Sequence, residues 1–460
     1  MTVIRRTIVV VIAILAFHVS PLQAAPAAKG KTGAPVPPPR SVILFIGDGM
    51  GEPQRHAARL FKAMNPDDRD EKEPIAVARL TMDGLKASGV MENHSVDNLV
   101  TDSAASATAM ATGTRVVNRA LASLPDGQAL KTILERAREQ GRSTGLVTTV
   151  TVTHATPAAF ATHTTDRKKE YDIALDYLNA GVSVLLGGGR MYFLPRGTDD
   201  GERIDGRNVA AEMEAKGYVL VKERDALLAN SAAPKILGLF DAGGMDYEID
   251  RDPAKSPSLA EMTRVALCSL STNPRGFFLM VEGGRIDWAC HDNDLAAALH
   301  DTLALDAAVA EALVFQKSHP NTLILVTNDH ETGGLTFPAG FNLAPLVAVR
   351  NSIEKVLRGF DRAKMDPNNV AFDDALSERL NLKLDVPGKE KIKLAGGDSK
   401  KVLAVLTDMQ NARTRVSFST RAHTGIPSIV SAQGPGQETF TGFYDVTDLC
   451  GKMMNVMGLK

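Results

Sequence analysis

Five apolar runs punctuate the chain, and each ends in glycine or a polar group. They are SVILFIGDGMG (41–51), STGLVTTVTVTH (143–154), VSVLLGGG (182–189), GFFLMVEGG (276–284) and NTLILVTNDHETGG (321–334). Continuous apolar runs of this length fit strands buried on both faces of a largely parallel sheet. Between them the period becomes helical. QALKTILERAREQG (128–141) sets Leu130, Ile133, Leu134 and Ala137 along one face, with Gly141 placed to end the helix. DNDLAAALHDTLALDAAVAEALVFQ (292–316) reads as one long helix, rich in Ala and Leu. Strand alternating with helix predicts an α/β fold with a doubly wound, largely parallel central sheet flanked by helices. Between His330 and His423 no run of buried strands stands out, and FDRAKMDPNNVAFDDALSERLNLKLDVPGKEK is polar and turn-rich. That stretch predicts an insertion at about 339–415, a crown or lid on the core just before His423.

Composition narrows the class. At 460 residues, 44% hydrophobic and 23% charged, the chain is long enough and apolar enough for a large soluble core. The formal net charge of -2 and the lack of a basic run interleaved with aromatics imply no nucleic-acid partner. Arg5 and Arg6 precede an apolar stretch, Thr7 to Phe17, and small residues follow at Ala24 and Ala25. This predicts a signal peptide over 1–24, a Pro/Gly-rich disordered lead-in over 25–40 and a folded domain over 41–460. The mature protein is then exported, periplasmic or secreted, with no stable membrane span once the signal is removed. Cys268, Cys290 and Cys450 contain no CxxC pair and allow at most one disulfide.

The ionisable residues cluster just past the apolar runs. Ligands in open α/β sheets bind at the carboxyl ends of strands, so Asp48, His154, Glu282, Asp329 and His330 should converge on one edge. In EGGRIDWACHDND, Asp287 and His291 stand four apart and share a face if the segment is helical. An acid and an imidazole so placed form half of a zinc site, although the pair taken alone also describes a surface ion pair. Asp329 and His330 end a buried strand, where they are costly unless partnered. RAHTG adds His423, and HATPAAFATHTTDR adds His154, Thr156, His163 and Arg167. GDGMGE lacks the third glycine of a dinucleotide fingerprint, and no Gly-rich loop leads into GK[ST]. A serine nucleophile needs activation, and no Gly-x-Ser-x-Gly elbow is present to supply a Ser-His-Asp triad. A metal is the remaining means, with an Arg to grip phosphoryl oxygens.

FIGDGMG, TDSAASATAMATG, ATPAAFATH…DR, VEGGRID…H, TNDHETGG and AHTG occur in one order, from about residue 42 to 425. In that order they resemble the alkaline phosphatases, specifically the His/Trp branch of the bacterial enzymes. The resemblance implies hydrolysis of small phosphomonoesters, with Ser103 as nucleophile through a phosphoserine. It implies one zinc on Asp287, His291 and His423, and a second on Asp48, Asp329 and His330. A magnesium would sit on Asp48, Thr156 and Glu282, and Arg167 would clamp phosphate. His154 and Trp288 stand where other members carry Asp and Lys. His154 is expected to weaken magnesium preference or admit zinc, and Trp288 to weaken product binding. Asp102 is expected to cap the helix or orient Arg167. Many members are homodimers, and that assembly is open here. Two other readings are weighed: a phosphodiesterase or sulfatase of the same superfamily, and a non-enzymatic exported zinc- or phosphate-binding protein.

Overall fold

The sheet is built around β1 (Ser41–Gly47), every residue of which is buried. In the computed structural model, residues 41–64 and 78–460 are described; the predicted signal peptide and lead-in lie outside them. The described residues form one compact unit. The strands of the main sheet are β1, β2 (Ala87–Glu92), β3 (Ser143–Thr151), β4 (Val184–Gly188), β5 (Val219–Val221), β6 (Ile236–Leu239), β7 (Phe277–Gly283), β8 (Thr322–Asn328), β13 (Ser428–Gln433) and β14 (Gly442–Asp445). Between β8 and β13 come the two-residue strands β9 (Glu331–Thr332), β10 (Leu335–Thr336), β11 (Ser417–Phe418) and β12 (His423–Thr424). The ten main strands run in the order β14-β2-β13-β8-β1-β7-β3-β4-β6-β5. β8, β1, β7, β3, β4, β6 and β5 are mutually parallel. β13 runs antiparallel to both β8 and β2.

Burial on both faces explains the unbroken apolar runs. Ile43, Phe45, Leu279, Val281, Ile324 and Val326 enter one core, and Val42, Leu44, Ile46, Phe278, Met280, Leu323 and Leu325 the other. Successive residues of a strand point to opposite faces, so every position must be apolar. The helices Leu259–Leu270 and Leu295–Ser318 cover the first face. The helices Ser103–Thr112, Ala155–Ala161 and Val446–Met457 cover the second.

The structure adds detail to three of the sequence readings. The long helix predicted over 292–316 is present as Leu295–Ser318, and a separate helix, Arg285–Asp292, precedes it across a break at Asn293 with φ of 57°. Asn tolerates this left-handed conformation, and Asp294 caps the second helix by accepting from the Ala297 amide. The polar segment after residue 339 carries the helices Ile353–Arg358, Val370–Leu380, Val386–Ala395 and Ser399–Thr414. Its turn residues act largely as caps: Ser352, Asn369, Asp385 and Asp398 each accept from a first-turn amide. The three cysteines are all unpaired, with Cys290 and Cys450 buried. Among the described residues no helix is long and apolar enough to cross a membrane.

Candidate metal centre and active site

Strand register brings the acids together. Gly47 lies level with Gly283 on one side and Asn328 on the other, so Asp48 and Asp329 leave adjacent strands at the same height. Glu282 pairs in register with both Ile46 and Thr148, one step deeper. The turn after β1 needs glycine at position 49. Its φ is +70°, and a Cβ there would stand 2.9 Å from the Asp287 Cα. The Gly49 amide donates to Asp329 Oδ1 at 3.0 Å.

Three groups of metal-capable side chains result: Asp287, His291 and His423; Asp48, Asp329 and His330; Asp48, Glu282 and His154. In the first, His291 Nε2 lies 3.1 Å from His423 Nε2 and 3.3 Å from Asp287 Oδ2, and His423 Nε2 lies 3.7 Å from Asp287 Oδ1. In the second, His330 Nε2 is 3.2 Å from Asp329 Oδ2 and 3.6 Å from Asp48 Oδ1. Donors about 2.0–2.2 Å from a tetrahedral ion lie about 3.3–3.6 Å apart, so both groups suit one. The third is wider: His154 Nδ1 is 3.8 Å from Glu282 Oε1 and 3.9 Å from Asp48 Oδ2.

Partners on the far ring nitrogens fix which lone pairs face inward. His291 Nδ1 meets the Arg421 carbonyl at 2.6 Å, and His423 Nδ1 meets that of Thr101 at 3.0 Å. A carbonyl can only accept, so both Nδ1 atoms carry hydrogen and both Nε2 lone pairs are available. The Thr332 hydroxyl donates to Asp287 Oδ1 at 2.5 Å and is 3.2 Å from His330 Nδ1, which sets the same tautomer there.

Several buried atoms have no hydrogen-bond partner: both Asp48 oxygens, Asp329 Oδ2, Glu282 Oε1 and His154 Nδ1 of the metal groups, and Thr156 Oγ1. Leaving such groups unpaired is costly, and a set dominated by anionic oxygens fits cations. The titration shifts agree. Burial, then Asp329 and Asp287, raises Asp48 well above the carboxylate range. Burial and then Asp287 push Asp329 up to about 7. At Asp287 burial acts upward, but His291 and the neighbouring imidazoles outweigh it and hold the carboxyl well below its usual range. Burial, then His423, keeps His330 far below the ordinary imidazole value. The carboxylates lack enough positive charge to ionise together without added cations.

Ser103 opens the helix Ser103–Thr112, and its Oγ lies 3.2 Å from His330 Nε2. Asp102 is the N-cap: Oδ1 accepts from the Ala105 amide at 3.0 Å. Oδ2 accepts from Arg167 Nη1 at 3.0 Å and from the Arg119 amide at 3.1 Å. Asp102 thus performs both anticipated tasks. Arg167 Nη2 also meets His154 Nε2 at 3.0 Å. Trp288 stands edge-on to His154, with ring centroids 6.1 Å apart. Direct contacts thus link Asp48, Glu282, Asp287, His291, Asp329, His330, His423, Ser103, His154, Arg167 and Trp288 at this edge, and Thr156 is buried two residues after His154. His163 does not join the metal groups; it bonds the Ala122 carbonyl and Glu135.

Residues absent from the sequence reading hold these groups in place. Thr148 Oγ1 donates to Glu282 Oε2 at 2.5 Å. Gln54 Nε2 donates to Glu331 Oε1 at 2.8 Å and to the Thr332 carbonyl at 2.9 Å. Glu331 is fully buried and also accepts from Thr424, next to His423. Ser106 Oγ donates to the Asp329 carbonyl at 2.9 Å and accepts from Asn93 at 2.9 Å. Of these, Glu331 carries a sequence signal, an acid directly after His330 and just ahead of Gly333 and Gly334.

Buried carboxylates and imidazoles, gathered around one hydroxyl and one arginine at the carboxyl edge of a mostly parallel sheet, define a metal-binding hydrolase. The sequence profile of the alkaline phosphatases spans residues 39–459. Alkaline phosphatase 4 of Bacillus subtilis is 35% identical over 436 residues, covering 91% of this chain and 88% of that one. Streptomycin-6-phosphate phosphatase of Streptomyces griseus is 34% identical, covering 95% of each. The crystal structure of the alkaline phosphatase of Thermus thermophilus superposes with a TM-score of 0.81 at 31% identity, covering 92% of each chain. That of the cold-active enzyme of a psychrophilic Shewanella gives 0.80 at 31%, covering 91% of this chain and 99% of that one. The chain belongs to the alkaline phosphatase family and is a phosphomonoesterase.

Proposed function

We propose that the chain hydrolyses phosphomonoesters through a phosphoserine on Ser103, with two zinc ions and one magnesium. Asp287, His291 and His423 would hold one zinc; Asp48, Asp329 and His330 the other. Asp48, Glu282 and Thr156 would hold the magnesium, with His154 beside it. Bound there, the cations would lower the pKa of a hydroxyl or water and neutralise charge on the phosphoryl and leaving oxygens.

The chain's own residues supply the positioning. Arg167, fixed by Asp102 and His154, presents its fork to phosphate oxygens. The amino end of the Ser103 helix favours the same anion. The Ser103 oxygen forms a bond to phosphorus as the bond to the ester oxygen breaks, and the alcohol departs. Water then attacks the phosphoserine, returning the hydroxyl and releasing inorganic phosphate. The observation that carries this reading is the Ser103 Oγ at 3.2 Å from His330 Nε2, the atom that also faces Asp48 and Asp329.

Ser103→Ala should lose most monoester turnover while elemental analysis still finds zinc and magnesium. Near-normal turnover in that variant would exclude Ser103 as nucleophile. Chelation should remove turnover and metal resupply restore it. A chromogenic diester assayed in parallel should be hydrolysed far more slowly than the monoester. We further infer export with removal of residues 1–24, which N-terminal sequencing of the secreted protein checks.

A further inference from the structure

Behind Trp288 lies a buried cation that the chemistry above does not use. Arg285 is 2% exposed, and its guanidinium carbon stands 3.6 Å from the ring centroid of Tyr247 and 4.8 Å from that of Trp288. Two aromatic faces therefore hold one guanidinium, an arrangement that fixes ring and cation mutually. Arg285 Nη2 donates to Glu354 Oε2 at 3.1 Å, and Glu354 belongs to the helix Ile353–Arg358. Arg285 opens the helix that presents Asp287 and His291, and its amide donates to Thr149 Oγ1 at 3.1 Å.

The helix Ile353–Arg358 is itself pinned to the core. Asp294 Oδ2 accepts from the Ile353 amide and Asp250 Oδ1 from the Ser352 amide, both at 2.9 Å. Lys355 pairs with Asp246 at 2.8 Å. The loop carrying Asp246 and Tyr247 closes over the indole, since a Cβ on Gly244 would lie 2.9 Å from Trp288 Cζ3. On its other side Trp288 meets His154, which bonds Arg167. A continuous series of contacts thus joins the helical segment ahead of His423 to the phosphate-facing arginine.

We propose that Glu354 and Arg285 are positioning residues that set the Trp288 ring, and through His154 set Arg167, for substrate and phosphate binding. The part concerning Arg167 rests on the proposed function; the part concerning the Trp288 ring does not. The protein contains a single tryptophan, so its tryptophan emission, excited selectively over tyrosine, reports this ring alone.

The test uses the metal-replete full enzyme with Glu354→Ala, Glu354→Gln and Arg285→Met. Tryptophan emission, KM, the inhibition constant of inorganic phosphate and kcat are measured on each. Removing the cation in Arg285→Met, and freeing it from its carboxylate partner in Glu354→Ala, should each change emission intensity. KM and the phosphate constant should rise together by about threefold to tenfold, a fraction of the about thirtyfold that complete loss of a desolvated cation–π contact would give, while kcat moves much less. Glu354→Gln, which retains an acceptor for Arg285, should recover part of the effect. In an Arg285→Met, Trp288→Phe double variant the two changes should fall well short of additive. Unchanged emission in Glu354→Ala and Arg285→Met overturns the assignment of the ring. Altered emission with KM and phosphate inhibition unchanged overturns the link to Arg167. If Arg285→Met does not fold, the partly exposed Glu354 decides alone. Retained turnover in Ser103→Ala would instead strike the proposed function and leave the emission result standing.

Discussion

Asp102 serves two tasks with two separate oxygens, so substitution can separate them. Oδ1 caps the Ser103 helix and Oδ2 holds Arg167 and the Arg119 amide. In Asp102→Asn the amide oxygen can still cap, while the NH₂ group cannot accept from a guanidinium. In Asp102→Ala both contacts go. Losing the cap costs about 1 kcal/mol. The bond to Arg167 is charge-assisted and would contribute about 1.5–3 kcal/mol in isolation. Two facts reduce its net effect on phosphate. Arg167 keeps its bond to His154 Nε2, and removing the acid also removes a like charge beside the anion. A net loss of about 1 kcal/mol in phosphate affinity is expected, about fivefold in KM and in the phosphate inhibition constant. Both variants should show that loss, because both release Arg167. Both lose the Oδ2 bonds, but Asp102→Ala, which also loses the cap, should lower the thermal midpoint further than Asp102→Asn, read by calorimetry on the metal-replete enzyme. Equal destabilisation of the two variants would refute the division of labour. An unchanged phosphate constant in Asp102→Asn would refute the orienting role.

Trp288→Lys returns a cation to a position packed against His154, and the inhibition constant for inorganic phosphate should fall about tenfold, as a new charge-assisted contact would give. No change would remove Trp288 from the account of product binding. His163 is raised above its ordinary value, chiefly by its bond to Glu135, whose own carboxyl is lowered despite burial. A raised imidazole contributes stability that is complete below the unfolded value of about 6.5 and is lost as pH rises through the folded value. The lowered carboxylate contributes above its unfolded value and loses its share in acid. The difference in thermal midpoint between wild type and His163→Gln should therefore peak at mildly acidic pH and shrink on either side. A difference independent of pH would mean that the pair acts through packing alone.

The legible parts of the sequence are those whose physics is local. The runs over β1, β7 and β8 could be read because both faces are buried, which demands apolar residues throughout. β2 escaped because ASGVME alternates buried with exposed and contains Gly89. The break at Asn293 was concealed by good helix formers following it, and only the left-handed backbone reveals it. His163 looked equivalent to His154 in the sequence. It differs because the intervening helix Ala155–Ala161 carries it away to the Ala122 carbonyl and Glu135. Thr148, Thr332 and Gln54 gave no signal, because what they do depends on partners that the fold alone brings near.

His154 departs from the other site histidines in a way that follows from its partner. His291 and His423 point Nδ1 at carbonyls, His330 points it at a hydroxyl already donating elsewhere, and all three turn an Nε2 lone pair inward. His154 bonds Arg167 through Nε2, and a guanidinium can only donate. Its hydrogen must then sit on Nδ1, the atom facing Asp48 and Glu282. In this tautomer His154 presents a donor where a cation would want an acceptor, so the third group contains two carboxylates and an N–H. For His154 to ligate through Nδ1 the hydrogen must move to Nε2, where it would face Arg167 and break that bond. Occupation of the third site through His154 and tight holding of Arg167 therefore oppose each other. An Asp at position 154 would remove the conflict by accepting from Arg167 with one oxygen and meeting a cation with the other. His154→Asp should accordingly raise magnesium retention in a dialysed enzyme while phosphate affinity is kept. Magnesium retention equal to wild type would show that Asp48, Glu282 and Thr156 suffice without regard to the fourth side chain.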